Sequence, residues 1–268
     1  MRYDIIVVGA GGTGGNFLKE FGRFLKFYDE PEHTWALKII DGDSIEERNA
    51  ERQPFLASDA MQRKAAVMAE GLVDCIGLPR EKVTAYTRYI DTYDELKNII
   101  GGAGGYDRSI VLLIGCVDNH RARQVMHEAF NKIPNIIYID SANEFSEGEV
   151  VVGLRMGRKE LAPPRGYYFP EVLTDKGKRA SELSCGAVNV SAPQHLATNL
   201  TAAHHILSFV VNIMKTHQTD GGVVHFDAFS HYCRFDRWTR EMQQEKEAKE
   251  AANKPKRGRR KKVTADGK

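Results

Sequence analysis

Five glycines in seven residues, Gly9-Ala10-Gly11-Gly12-Thr13-Gly14-Gly15, follow directly on the apolar run Ile5-Ile6-Val7-Val8. A phosphate needs backbone amides with no side chain in the way, and a strand that turns through glycines into a helix aims the helix N-terminus at the anion. A second apolar run, Trp35 to Ile40, ends at Asp41-Gly42-Asp43. A carboxylate at that strand end can accept hydrogen bonds from a ribose hydroxyl pair. Strand, glycine turn, helix, strand and acid, in this order, read as a nucleotide site. Asp41 stands farther along the chain than the roughly 20 residues of the ordinary dinucleotide fingerprint, which counts against a plain dehydrogenase.

The residues beyond Asp41 bear on the chemistry. Asn49, Arg52 and Gln53 form a short polar segment and Lys64 follows at the start of a helix, a set of cations and amides with no hydrophobic platform for a nicotinamide ring. A triphosphate undergoing substitution needs such cations, and a metal, more than a dinucleotide does. The apolar run Ser109 to Ile114 delivers Cys116, Asp118 and Asn119 to the same sheet edge as Asp41. Asp118 there can hold magnesium together with substrate phosphates; its other reading is a helix N-cap. Cys185 lies just ahead of a helix expected to start around Pro193, where a thiol can become nucleophilic, and its other reading is a partly buried structural cysteine.

Taken together and in order, the glycine turn, Asp41-x-Asp43, Asn49-x-x-Arg52-Gln53, Lys64-Ala65 and Cys116-x-Asp118-Asn119 resemble the ThiF/MoeB/HesA family, bacterial relatives of ubiquitin-activating enzymes. In size and tail the chain is also similar to the ThiF-like members of plasmid-associated PRTRC gene systems. The resemblance covers roughly the first half of the chain. It implies adenylation, by ATP and magnesium, of the C-terminal carboxylate of a small ubiquitin-like β-grasp protein ending in glycine, usually by a homodimer. It further implies catalytic roles for Arg52, Lys64, Asp118 and Cys185, and nucleotide contacts from Gly9, Gly11, Gly12, Gly14, Asp41, Asp43, Asn49, Arg52, Gln53, Lys64 and Asn119, with Asp118 as the metal ligand. In one respect the sequence departs from the family. Several members send an arginine from a helix ahead of the first strand into the partner's site, whereas here the strand starts almost at Met1; either that charge comes from elsewhere, such as Arg123 or the basic segment after residue 157, or the site is weaker.

Composition sets the outer limits. A chain of 268 residues can bury a substantial core. Its net charge of +2 conceals an asymmetry, since seven of the nine residues from 254 to 262 are Lys or Arg and the remainder is mildly acidic. The tail reads as solvated, with nonspecific nucleic-acid contact as the alternative. No apolar run approaches the roughly 20 residues of a membrane span and no signal sequence precedes the first strand, so a cytoplasmic protein with no membrane partner is expected. The four cysteines, Cys75, Cys116, Cys185 and Cys233, show no Cys-x-x-Cys pairing, so neither a structural zinc nor a disulfide framework is expected. Cys75 and Cys116 read as small buried hydrophobes, and Cys233 as enclosed by a late hairpin.

These patterns predict an α/β fold: a doubly wound, mostly parallel, Rossmann-like sheet with late antiparallel strands and a long crossover loop. Strands are expected over Arg2–Val8, Trp35–Ile40, Val83–Ile90, Ser109–Ile114, Asn135–Asp140 and Glu149–Met156, and helices over Thr13–Phe27, Ala60–Gly71, Thr92–Ile100 and Asn119–Lys132. Residues 1–236 are expected to form a single domain: a nucleotide-binding half (1–156), a mobile crossover loop (157–190), and a C-terminal helix and hairpin (191–236). A charged helix and disordered basic tail follow over 237–268. His195, His204 and His205 on the long apolar helix read as packing residues, and that helix is a candidate dimer surface. Three functions compete: activation of a ubiquitin-like protein, nicotinamide-dependent oxidoreduction, and a nucleotide-binding scaffold without catalysis.

Overall fold

The computed structural model describes residues 1–28, 33–101, 109–177 and 195–253. The chain divides into one unit from Met1 to Arg237 and a second from Trp238 to Lys268, which contains the helix Arg240–Asn253.

The core of the first unit is a sheet. β1 (Arg2–Val8) lies between β2 (Thr34–Ile40) and β4 (Ser109–Gly115), with β3 (Val83–Tyr86) outside β2 and β5 (Ile136–Asn143) outside β4. All these neighbours pair in parallel. β1 and β4 are apolar along nearly their whole length because helices cover both of their faces. The sheet then changes direction: β6 (Glu147–Met156), β8 (Gly222–Asp227) and β9 (Tyr232–Arg237) continue it antiparallel, and β7 (Lys159–Ala162) pairs with β6 off the main path.

Helices α3 (Tyr93–Ile100) and α4 (His120–Lys132) bury Leu96, Ile99, Val125, Met126 and Phe130 against Ile6, Val8, Val111 and Leu113. α1 (Gly12–Lys26) packs beside α7 (Leu196–Thr216), which also contacts β5, β6 and β8. The parallel register aligns Val8 with Ile40 and Gly115, Gly115 with Asp140, and Ile40 with Tyr86. Gly9, Asp41 and Cys116 therefore leave the sheet at one edge, while β5 runs on through Ser141 to Asn143 against β6. Among the described residues no helix is long and apolar enough to cross a membrane.

Several expectations are corrected. Helix α2 (Lys64–Glu70) begins at Lys64, not Ala60, because residues 57–63 form a short 3-10 turn and a bridge from Arg63 to Ser44. β3 stops at Tyr86. The described part of the expected crossover loop, 157–177, is structured: it holds β7 and the short helices α5 (Arg165–Tyr168) and α6 (Glu171–Thr174), anchored by the buried Arg165. Cys75 and Cys233 are exposed, not enclosed. The expected helix start at Pro193 lies outside the described residues; within them helix α7 begins at Leu196 with His195 as its cap.

Candidate nucleotide site

At the sheet edge the glycine turn and the loop after β4 interlock. Gly9 has φ +93, and a Cβ there would fall 2.4 Å from the Cys116 carbonyl oxygen; one on Gly14 would fall 1.9 Å from the Gly9 carbonyl. The Cys116 amide donates to the Val8 carbonyl at 2.8 Å, which fixes the loop that carries Asp118 beside the turn. Gly11 caps α1 and is different: a Cβ there would meet nothing within 4 Å. The approach to the first amides of α1 is open from that side, as an incoming phosphate requires.

Asp41 ties the second strand end to this turn. Its carboxylate accepts the Ala10 amide at 2.6 Å and the Asp43 amide at 2.8 Å. Burial pushes the Asp41 carboxyl up, against the pull of Lys64 and with the help of Asp43. Asp43 in turn accepts from Lys64 Nζ at 2.9 Å and from the Tyr89 hydroxyl. Burial works to raise the Asp43 carboxyl, but the Lys64 charge and the Tyr89 hydrogen bond outweigh it and hold it below the usual range. Lys64 is 7% exposed. Burial would lower its ammonium; Asp41, Asp43 and Asp118 together raise it instead. One buried cation thus pairs with Asp43 and feels the charges of Asp41 and Asp118, carboxylates that follow β2 and β4.

The segment between Asp43 and Lys64 folds back on itself through Ile45 and Gln62, and Lys64 N donates to the Asp43 carbonyl at 3.1 Å. Within it Asn49 is buried, and its Oδ1 accepts the Glu46 amide at 2.9 Å, so this side chain shapes the turn that ends at Arg52. Arg52 is half-buried. Gln53 is buried, with Oε1 lacking a hydrogen-bond partner. Pro54 lies against Gly15, 2.9 Å from a Cβ built there, and so seats this segment on the first turns of α1.

Asn119, not Asp118, caps α4, accepting the Ala122 amide at 3.1 Å. Asp118 is exposed, and among the described residues no hydrogen bond or salt bridge is recorded for its carboxylate. Among the described residues no cluster of three or more acidic, His or Cys side chains could hold a metal by itself. A single exposed carboxylate still suits magnesium, which takes few protein ligands and completes its shell with phosphate and water.

Two arginines that could have supplied the missing charge are committed elsewhere. Arg123 is not available to the site, because it is buried, lies 3.4 Å from Asp140 and donates to the Val117 and Ser141 carbonyls at 2.5 and 3.1 Å. Arg165, from the basic segment after residue 157, is likewise buried against Asp140 and donates to the Asp140 and Glu149 carbonyls at 3.1 and 3.2 Å. Arg123 thereby fastens the residue before Asp118 to β5. Cys185 lies outside the described residues. The Cys116 thiol is pushed up by burial, then by Asp140, which disfavours the nucleophilic thiolate.

Sequence reasoning missed Tyr89, Arg63, Asn143 and Asn199. Arg63 donates to the Gly42 and Thr87 carbonyls at 2.9 and 3.1 Å, and the Tyr89 ring covers Gly42. Tyr89 gave no signal, because it falls inside the strand expected over Val83–Ile90, whereas β3 ends at Tyr86, but Thr198-Asn199 interrupting an apolar helix was legible as an anomaly.

The sequence matches the ThiF family profile over residues 1–250. The chain belongs to the ThiF family. Solved structures similar to this ThiF-family protein include PaaA, at 16% identity and TM-score 0.57, covering 88% of this chain and 64% of that one. They also include Escherichia coli MccB with ATP, at 14% identity and TM-score 0.56, covering 87% and 63%. MccB with MccA-N7isoASN gives 14% identity and TM-score 0.57, covering 87% and 64%. The chain thus spans less than two thirds of the length of these proteins, and at such identity the likeness establishes the fold. Comparison with curated proteins returned no match.

Proposed function

We propose that this ThiF-family protein adenylates the C-terminal carboxylate of a small ubiquitin-like protein, consuming ATP and releasing pyrophosphate. The observation that carries the reading is the buried Lys64, held by Asp43 and drawn on by Asp41 and Asp118, at the edge where the open side of Gly11 faces outward. A polypeptide carboxylate is already ionised at pH 7, so it can attack the α-phosphorus without a general base; the new acyl–phosphate bond forms as the bond to pyrophosphate breaks. The protein must align two anions and neutralise charge. In this reading the α1 amides and Arg52 hold phosphate oxygens, Asp41 meets the ribose, and Lys64 exchanges Asp43 for the α-phosphate as charge grows there. Asp118 is the residue that would hold magnesium, which when bound neutralises the departing pyrophosphate.

The test is exchange of labelled pyrophosphate into ATP in the presence of a candidate protein ending in glycine. Exchange that disappears when that C-terminus is amidated supports the reading; ATP binding without exchange under any carboxylate supports the inactive scaffold; nicotinamide binding supports the oxidoreductase. Transfer of the acyl group to Cys185 would be a second step, visible as a thiol-sensitive adduct absent from Cys185→Ala. The exposed Leu196 and Leu200 on α7 offer a face for a second copy of the chain, to be checked by light scattering on the wild type and Leu200→Glu.

A further inference from the structure

We propose that Asn199, on α7, is a positioning residue of the phosphate cradle: with Thr13 and Asn143 it locks the first turn of α1 so that its amides stay aimed at the nucleotide. The proposal rests on the reading of the glycine turn as the phosphate site. Asn199 is 0% exposed. Its Oδ1 accepts from Asn143 Nδ2 at 2.8 Å and from the Thr13 hydroxyl at 3.4 Å, while that hydroxyl also reaches Asn143 Oδ1 at 3.2 Å. Three side chains, from the start of α1, the end of β5 and the start of α7, therefore share one knot of hydrogen bonds. Next to it the Thr198 hydroxyl donates to the Phe145 carbonyl at 2.5 Å, fastening the same turn of α7 to the connection between β5 and β6.

A buried amide on a helix whose neighbours are Ala202, Ala203 and Ile206 costs free energy unless it is well used. Its use is visible at Gly12. A Cβ on that residue would fall 2.2 Å from Asn199 Nδ2, which has no protein partner of its own. Gly11 faces open space and Gly12 faces Asn199, so the two glycines are glycine for different reasons: one admits the ligand, the other admits the residue that sets the turn. Thr13, directed into the knot, is an internal strut and not a phosphate ligand. The position of the cradle is consequently set from α7, a helix nearly 190 residues further along the chain.

The test compares wild type, Asn199→Ala and the near-isosteric Thr13→Val in pyrophosphate exchange, thermal melting and amide hydrogen exchange at residues 11–14. Asn199→Ala should raise the KM for ATP about tenfold, as loss of one buried hydrogen-bonding group does, with kcat at saturating ATP changed less than about twofold. Thr13→Val should move KM in the same direction, and residues 11–14 should exchange faster in both. A merely structural role would lower the active fraction, reducing kcat at unchanged KM. Unchanged KM and unchanged amide exchange in folded variants would overturn the proposal, and Thr13→Val decides it where Asn199→Ala does not fold. If the wild type neither binds ATP nor exchanges pyrophosphate yet the turn still loosens in Asn199→Ala, the knot stands and the adenylation reading falls.

Discussion

The site's chemistry rests on one cation in a crowd of carboxylates. Lys64 is buried among Asp41, Asp43 and Asp118, and its charge is retained because they surround it. If Lys64 and Arg52 act as preorganised donors to the transferring phosphoryl group, Lys64→Ala and Arg52→Ala should each lower kcat for pyrophosphate exchange about 100- to 1000-fold, or about 2.7–4 kcal/mol. An Arg52→Ala enzyme with undiminished exchange would take that residue out of the mechanism. The ion pair also predicts a pH dependence. The Asp43 carboxyl lies below its ordinary range when folded, so its contribution to stability is complete above about pH 3.9, its unfolded value, and is lost as pH falls through the folded value. Acid unfolding of Asp43→Asn should accordingly show a shallower loss of stability in that window than wild type. The roles suggested for Asp41, Lys64 and Asp118 were legible in sequence because each sits within a few residues of a strand end or a helix start. Tyr89 was not, since its hydroxyl meets Asp43 across 46 positions and only the turn-back of the chain after β3 brings it there.

At the level of elements, the turn between β1 and α1 is a joint among three segments, and its glycines are separable by experiment. Gly14→Ala would drive a Cβ into the Gly9 carbonyl and should destabilise the fold by about 1–3 kcal/mol in urea unfolding. Gly11→Ala meets no atom of the protein and should cost only the poorer helix cap, about 0.5–1 kcal/mol, while ATP binding weakens because the methyl fills the space a phosphate would enter. Equal losses of stability in the two variants would show that Gly11 is structural after all. The segment after β6 teaches a related lesson. Its lysines, arginines and prolines read as a loop, yet Arg165 is drawn inward because Asp140, 0% exposed within β5, needs compensation that Arg123 alone does not complete. Charge pattern along a chain says which residues prefer water; it does not say which will be claimed by a buried partner.

For the whole molecule, the division at Arg237 predicts that ending the chain after Thr239 leaves the sheet unit folded, with a melting temperature within about 2–4 °C of the full-length protein. A large loss of cooperativity would show that the second unit completes the first. The sequence by itself determined the α/β class, the order of the parallel strands' apolar runs and the edge at which the glycine turn, Asp41 and Asp118 emerge. Those features depend on apolar runs, glycine conformation and strand-end position, all of which are local and repeat with short periods. Only the tertiary structure decided that Lys64 pairs with Asp43, that Arg123 and Arg165 are bound to Asp140, and that Asn199 holds the turn. Each of those is a choice among several chemically similar partners, and that choice is made by the packing of α7, β5 and α4 against the sheet rather than by any neighbour along the chain.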